Sequence, residues 1–492
     1  MDLHEVLSAH RVRAYTDITP PLTISNFEAT VNAGVGITLT WTNPTDADYA
    51  KTRIVMKKDT QPTTLYDGDV IYEGTNETVE VLGESLTADT TYYFRAYTYD
   101  TTGNANKETT GQIVSAKYIV ATIYGFAVDE TNSNPSTCVT YIENAVGMTP
   151  ASNGASFKFD GGSWLDVYPF NAIRPVNLDD YGNVEHELNP KNFLQDVDGI
   201  TNYSNDVRVC IEIPPVYWKF TKTTNGYEVR WSDTKVDDSY HALAHERGGV
   251  LKGNLYVGAY EGNISNDALR SVSGSAVNTS RTLEYLRIRA TNLGAGFGLM
   301  NFHTVTLLQI LFVTMFKTLD SQGVFRGYVS NTSKTTTGVA NKVGMYYGYR
   351  QTDYTLAVMK FMGIENLWGN THTFMDGIVQ GAGGSVMISD NTVFNDTGEG
   401  YIYTVSGVQQ NSVAYPKSVV GETIGGFLPT SNGGSSSTYY CDQMTYCTTN
   451  YPLLAFGGFY NDGSAAGIFR TIGYGVFTEP AEAGARLQYL AP

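Results

Sequence analysis

The sequence predicts a mainly β protein with an α+β portion: an N-terminal β-sandwich followed by a much larger mixed region. Three observations predict it. Only 16% of the residues are charged, well under the roughly 25% of an average soluble domain, so long solvated helices have little to be made from. The missing charge is replaced by 50 Gly and 35 Tyr, which suit turns and strands better than helix interiors. Near the N-terminus, apolar residues recur with period two, the spacing of a half-buried strand. At about 150 residues per domain, a chain of 492 residues also needs more than one core.

The charge balance excludes some partners. Against 32 basic residues stand 49 acidic ones, a net charge of −17, which repels a phosphate backbone and argues against nucleic acid. The longest apolar run, 305–316, is interrupted by Gln309 and falls short of the ~20 residues that cross a bilayer. No membrane span is therefore expected. The start, MDLHEVLSAHRVRAYTDITPP, has no apolar stretch of the secretory-signal kind, which leads us to expect synthesis in a cytoplasm. Four cysteines, Cys138, Cys210, Cys441 and Cys447, are too few for a disulfide scaffold, so apolar burial must hold the fold.

Residues 1–19 are polar and mixed, and we read them as an attachment segment ahead of the sandwich at 20–118. In that sandwich Ile37, Leu39 and Trp41 alternate with threonines. Ile54 and Met56, Val79 and Val81, and Tyr92, Phe94 and Ala96 repeat the pattern, and Asn43-Pro44, Asp67-Gly68 and Gly103-Asn104 supply the turns. About seven short strands in this length make a two-sheet sandwich. Trp41 before Asn43-Pro44, and Leu86 with Tyr92 running into YYFRAYTYDTTGN, resemble a fibronectin type III domain, with Tyr92 as its tyrosine corner. The resemblance implies a spacer or docking module. Strand parity places Trp41 and Tyr92 inside.

Beyond residue 118 the text is rich in Gly, Asn and aromatics, and we divide 119–492 into a lead-in, 119–208, and a core, 209–492. Three segments have helical spacing. Residues 136–146 are expected to be a short helix capped by Ser136, with Val139, Ile142 and Val146 on one face and Gly147 beyond its end. Residues 281–290 are expected to start at Ser280 and to turn Leu283, Leu286 and Ala290 inward. Residues 302–316 fit both a helix and a buried strand. Segments 392–406 and 430–438 read as loop.

Several segments then follow in a distinctive order: IEIPPVYWKF from Ile211, YVGAYEG from Tyr256, GLM from Gly298, GIENLWGN from Gly363, GG at Gly457-Gly458, AGIF from Ala466 and GARL from Gly484. This order resembles the C-type-lectin-like fold shared by formylglycine-generating enzymes and phage tropism determinants. The resemblance implies that the segment between Gly458 and Gly484 displays the recognition face, with Phe459, Tyr460, Asn461, Asp462, Ser464, Arg470 and Tyr474 as receptor-binding residues. Independently, Tyr, Asn and Ser in a turn suit adaptable recognition, because Tyr buries much area for little rotamer entropy while Asn and Ser both donate and accept. Trp368 reads as a core anchor.

Catalytic alternatives have weaker support. Cys441 and Cys447 are close in sequence, as are the copper-binding cysteines of formylglycine-generating enzymes, but they precede Gly457-Gly458, whereas that family's pair follows it. His241 and His245 have the four-residue spacing of a zinc site but no glutamate between them. Asp179-Asp180, Asp196 with Asp198, and Asp237-Asp238 could pair as a glycosidase acid and base, although such pairs more often form turns. DVDGI from Asp196 resembles part of a calcium loop, yet its twelfth position is Val207 rather than glutamate, so calcium is unsupported. The GAGFG run at Gly294 lacks the dinucleotide-binding spacing. With no catalytic pattern to set against it, the resemblance implies a non-enzymatic phage tail receptor-binding protein without cofactor, found in the virion and typically trimeric. Its partners would be a bacterial surface protein or glycan and other tail proteins. The near rival is a structural tail or baseplate protein without receptor contact, and the remoter ones are an oxidase and a glycan hydrolase.

Overall fold

The computed structural model describes residues 17–153, 158–200, 208–348, 358–409, 413–445 and 453–492. The described residues form two units, one ending at Ala121 and including Lys235–Asp237, the other made of Thr122–Thr234 and Asp238–Pro492. Residues 1–16 and Cys447 lie outside the description.

In the first unit the period-two pattern becomes seven strands: β1 (Ser25–Asn32), β2 (Gly36–Thr42), β3 (Tyr49–Lys58), β4 (Asp69–Gly74), β5 (Thr78–Leu82), β6 (Thr90–Asp100) and β7 (Ile113–Tyr118). They make two antiparallel sheets, β1-β2-β5 and β4-β3-β6-β7. Ile37, Leu39 and Trp41 of one sheet meet Ile54, Met56, Tyr92, Phe94 and Ala96 of the other. Both large anchors also satisfy their polar ends, as buried Trp and Tyr must. Trp41 Nε1 donates to Asn43 Oδ1 at 2.9 Å, and the Thr87 N–H donates to the Tyr92 hydroxyl at 2.9 Å.

The regular structure of the second unit is also mainly strand. A seven-stranded sheet runs, in spatial order, Asn192–Asp196, Val184–Asn189, Arg174–Leu178, Arg208–Ile213, Leu255–Gly258, Leu487–Tyr489 and Phe297–Leu299. The C-terminal strand is thus an interior strand of that sheet. A second large sheet is built around His372–Gln380, Leu453–Gly457 and Gly467–Tyr474. The ambiguous 302–316 segment is helix α2 (Phe302–Phe316), and all fifteen of its residues are buried. Total burial removes the polar face from which periodicity is read, which is why its spacing fitted both structures. Asn301 caps it, accepting from the Thr304 N–H at 2.9 Å. No helix among the described residues is long and apolar enough to cross a membrane.

Three expectations are corrected. Residues 136–146 hold a strand, Val139–Glu143, pairing with Ile123–Asp129; the β-branched and aromatic run Val-Thr-Tyr-Ile outweighs the helical spacing. Helix α1 spans Leu283–Thr291, capped by Thr282 and not Ser280, which has φ 58°. Its inward residues are Leu283, Leu286 and Ala290, as the spacing predicts. The short strand Tyr403–Val405 lies within the first segment expected to be loop, and Pro429–Asn432 runs into the start of the second.

The landmark segments converge on one buried polar knot. Arg486, fully buried, donates from Nη1 to the Gly258 carbonyl at 3.0 Å and from Nη2 to the carbonyls of Glu365 and Asn366 at 2.8 and 3.1 Å. The Glu365 carboxylate accepts from the N–H groups of Gly338 and Ala340, each at 2.7 Å. The Glu261 carboxylate accepts from Asn370 Nδ2 and the Thr371 hydroxyl. Burial raises Glu261 to about 7.

Candidate functional site

The expected recognition segment joins two strands of the second large sheet. Leu453–Gly457 and Gly467–Tyr474 are antiparallel neighbours, Leu453 opposite Tyr474 and Phe456 opposite Thr471, and residues 458–466 turn between them. Gly458, with φ 90°, cannot be replaced freely, since a Cβ there would lie 2.5 Å from that of Ala466. The turn is tied down by its backbone. Tyr460 N–H donates to the Asn370 carbonyl at 3.1 Å, Asn331 N–H donates to the Tyr460 carbonyl at 2.8 Å, and Gly463 N–H donates to the Val329 carbonyl at 2.8 Å. Gln322 Nε2 donates to the carbonyls of Gly463 and Ala466 at 2.7 and 2.6 Å.

Beneath the turn lies a charged support. Asp462 Oδ2 accepts from the Phe459 N–H at 3.3 Å and sits 3.4 Å from Arg470 Nε and 3.6 Å from His372 Nε2. Burial pushes the Asp462 carboxyl up, outweighing the opposing pull of Arg470. Arg470 is 4% exposed, and its Nη1 donates to the Gln443 carbonyl and to Thr445 Oγ1, at 3.0 and 3.2 Å. His372 is 1% exposed with no partner for Nδ1. Burial, aided by the Arg470 charge, lowers it to about 3, so it is neutral at pH 7.

The expected site residues therefore fall into two layers. Asn461 and Ser464 are exposed, and Phe459, Tyr460 and Asp462 are half-buried. Phe459 packs against His372 and Tyr460, with centroids at 5.3 and 5.1 Å. Tyr474 is half-buried against His372 and Phe374, at 6.1 and 5.6 Å. Arg470 is the supporting cation underneath and not a group offered to solvent. His372, Gln322 and Asn370, which hold the turn, lie far away in sequence, and no local pattern marks them.

Several residues of the alternative sites have structural surroundings, while Cys447 lies outside the described residues. His241 and His245 are on no helix; His245 is fully buried, its Nε2 3.2 Å from the Ile213 carbonyl, and burial lowers it to about 4. Asp179 and Asp196 are turn formers, Asp179 accepting from the N–H groups of Tyr181 and Asn183 and Asp196 from those of Asp198 and Ile200. Cys441 is buried and its thiol is pushed well up, the opposite of what a reactive or metal-binding thiol needs. Asp17, Asp48 and Asp100 bring carboxylate oxygens within 4.8 Å of one another, but both Asp100 oxygens already accept hydrogen bonds from Thr102 and Asn104.

His372 gives a pH signature. A histidine whose folded pKa lies below the ordinary 6.5 binds fewer protons folded than unfolded. Its contribution is complete above about pH 6.5 and is lost at about 1.4 kcal/mol per pH unit as pH falls toward 3. Against His372→Gln, the native chain should lose stability more steeply over that window, as measured by denaturant unfolding at successive pH values. Equal slopes would show that His372 is not held neutral.

No protein-family profile matches the chain, and no curated protein is similar to it in sequence. Among solved structures it is similar to the "Major Tropism Determinant M1 Variant", at 14% identity and a TM-score of 0.24 with 83% of each chain covered. It is likewise similar to the "Major Tropism Determinant P3c Variant", at 13% identity and 0.24 with 82% of each covered. A TM-score of that size transfers no residue role, so the functional argument rests on this chain's own geometry.

Proposed function

We propose that the chain is a receptor-binding protein of a phage tail, whose 459–464 turn and adjoining Tyr474 contact a bacterial surface molecule without chemically changing it. The observation that carries this reading is the pairing of an exposed, amide- and hydroxyl-bearing turn with a rigid support: Asn461 and Ser464 face solvent while the turn's backbone is fixed by three distant segments, at Gln322, at Val329 and Asn331, and at Asn370. A preordered loop loses little entropy on binding, which is where much of the cost of recognition lies. The order of the landmark segments, similar to that of phage tropism determinants, supports the viral setting. The N-terminal sandwich, fibronectin type III-like in its Trp41 and Tyr92 anchors, would then serve as a spacer. Display in several copies, as in a trimer, would make weak single contacts effective.

The test is binding of the fluorescently labelled full chain to host bacterial cells, untreated, protease-treated or periodate-treated. Binding lost with protease identifies a protein receptor, and binding lost with periodate a glycan. Absence of binding to untreated cells, together with association with other tail proteins, would replace this reading by that of a structural tail component.

A further inference from the structure

We propose that the cavity beside the strand Phe297–Leu299 in the larger unit is a binding site for a neutral saccharide unit. It shares no residue with the 459–474 face and so goes beyond the receptor-contact reading. Its volume is about 480 Å³, within the ordinary range for small-ligand sites.

The polar groups lining it are built in advance. Asp376, 2% exposed, is held by a bidentate Arg287 at 2.8 and 2.9 Å, and Arg287 also reaches Asp396 at 2.7 Å. Asn301 Nδ2 donates to Asn391 Oδ1 at 3.0 Å, and Asn391 Nδ2 donates to the carbonyls of Leu243 and Glu246, both at 2.8 Å. Gln488, 5% exposed, uses its Oε1 to accept from the Thr304 hydroxyl at 2.6 Å, and its Nε2 has no partner among the described residues. Arg247 gives Nη2 to the Leu490 carbonyl at 3.2 Å and leaves Nε without a partner.

Gly298 supplies a separate observation. It lies mid-strand without a positive φ, and a Cβ built on it meets nothing within 4 Å. Neither backbone nor packing requires glycine here, whereas any larger residue would project into the cavity. The ligand class follows from the lining. The lining holds Arg247, Arg287 and Asp376, and Arg287 is further neutralised by Asp396 outside the lining, so no strong net charge is left to attract a charged ligand. Interleaved donors and acceptors, flanked by the apolar walls of Leu299 and Phe394, suit a molecule that carries hydroxyls on its rim and C–H groups on its faces, which describes a sugar ring.

Saturation-transfer NMR on the full chain, with glucose, galactose, N-acetylglucosamine and rhamnose each at about 10 mM, covers the weak affinities expected of one sugar unit. At least one should show transfer to the native protein, none to Gly298→Leu, and Gly298→Ala should weaken it by several-fold. If leucine lowers the unfolding temperature, the alanine variant and Arg247→Ala decide the matter. Absence of transfer for all four sugars, or transfer that survives in folded cavity variants, would overturn the proposal.

Discussion

Replacing Arg486 by alanine is expected to abolish folding of the larger unit while the N-terminal sandwich keeps its own unfolding transition. The guanidinium is fully buried and ties Gly258, Glu365 and Asn366 to the C-terminal strand region. Burial lowers it to about 10, which leaves it charged at neutrality against the nearby Glu261 and Glu365 carboxylates. Deleting it removes the charge that opposes the burial of Glu261, whereas Glu365 keeps Lys360. The carbonyls it served add about 1–3 kcal/mol for each one left unsatisfied. The total is comparable to the roughly 5–15 kcal/mol that holds a typical domain together. Arg486→Lys keeps the charge but not the fork that spans three carbonyls and should be intermediate. Calorimetry reads both transitions, and a shift of less than about 1 kcal/mol in the larger unit would contradict the keystone role.

The second large effect is expected at Asp462. In Asp462→Ala the Phe459 N–H loses its acceptor, and Arg470, 4% exposed, loses the carboxylate 3.4 Å from its Nε. A cation left buried without its partner costs about 3–5 kcal/mol, reduced here because Asp462 is itself partly exposed. The turn should loosen, with receptor binding falling by about 100-fold or more, while Asp462→Asn, which can still accept from Phe459, should fall between. Proteolysis of the 458–466 turn measures the loosening directly. Equal protection in the native and alanine proteins would show that the turn is held by its backbone bonds alone.

Alternation was readable where one face of a strand meets solvent, as in β2 with Thr40 and Thr42 exposed beside the buried Leu39 and Trp41, because there the sequence must record both environments. It failed in α2, which is buried all round and carries no polar stripe, and in strand Val139–Glu143, which is largely open to solvent but sits in text whose apolar spacing also fits a helix. The landmark segments were visible as unusual text, with Glu261, Glu365, Asn370 and Arg486 set among glycines and aromatics. Their meeting in one knot is a tertiary fact that no local spacing encodes. The exposed residues of the proposed recognition turn, Asn461 and Ser464, were legible from composition. Its support was not, since His372, Gln322 and Asn370 come from distant strands and loops and reach the turn only through the fold. Likewise Gly298 lies in a glycine-rich run whose spacing fits no nucleotide motif, and its role emerges only from the empty space in front of it.

Whether the 459–464 turn grips a foreign molecule, as proposed, is decided by cell binding of the full chain carrying Tyr460→Ala and Asn461→Ala. The half-buried Tyr460 and exposed Asn461 can be trimmed with little cost to the fold, so an unchanged unfolding temperature is expected. Binding should weaken by about 30-fold or more, the effect of losing roughly 2 kcal/mol of contact at a hot spot. Undiminished binding by the folded double variant would place the receptor contact elsewhere on the molecule.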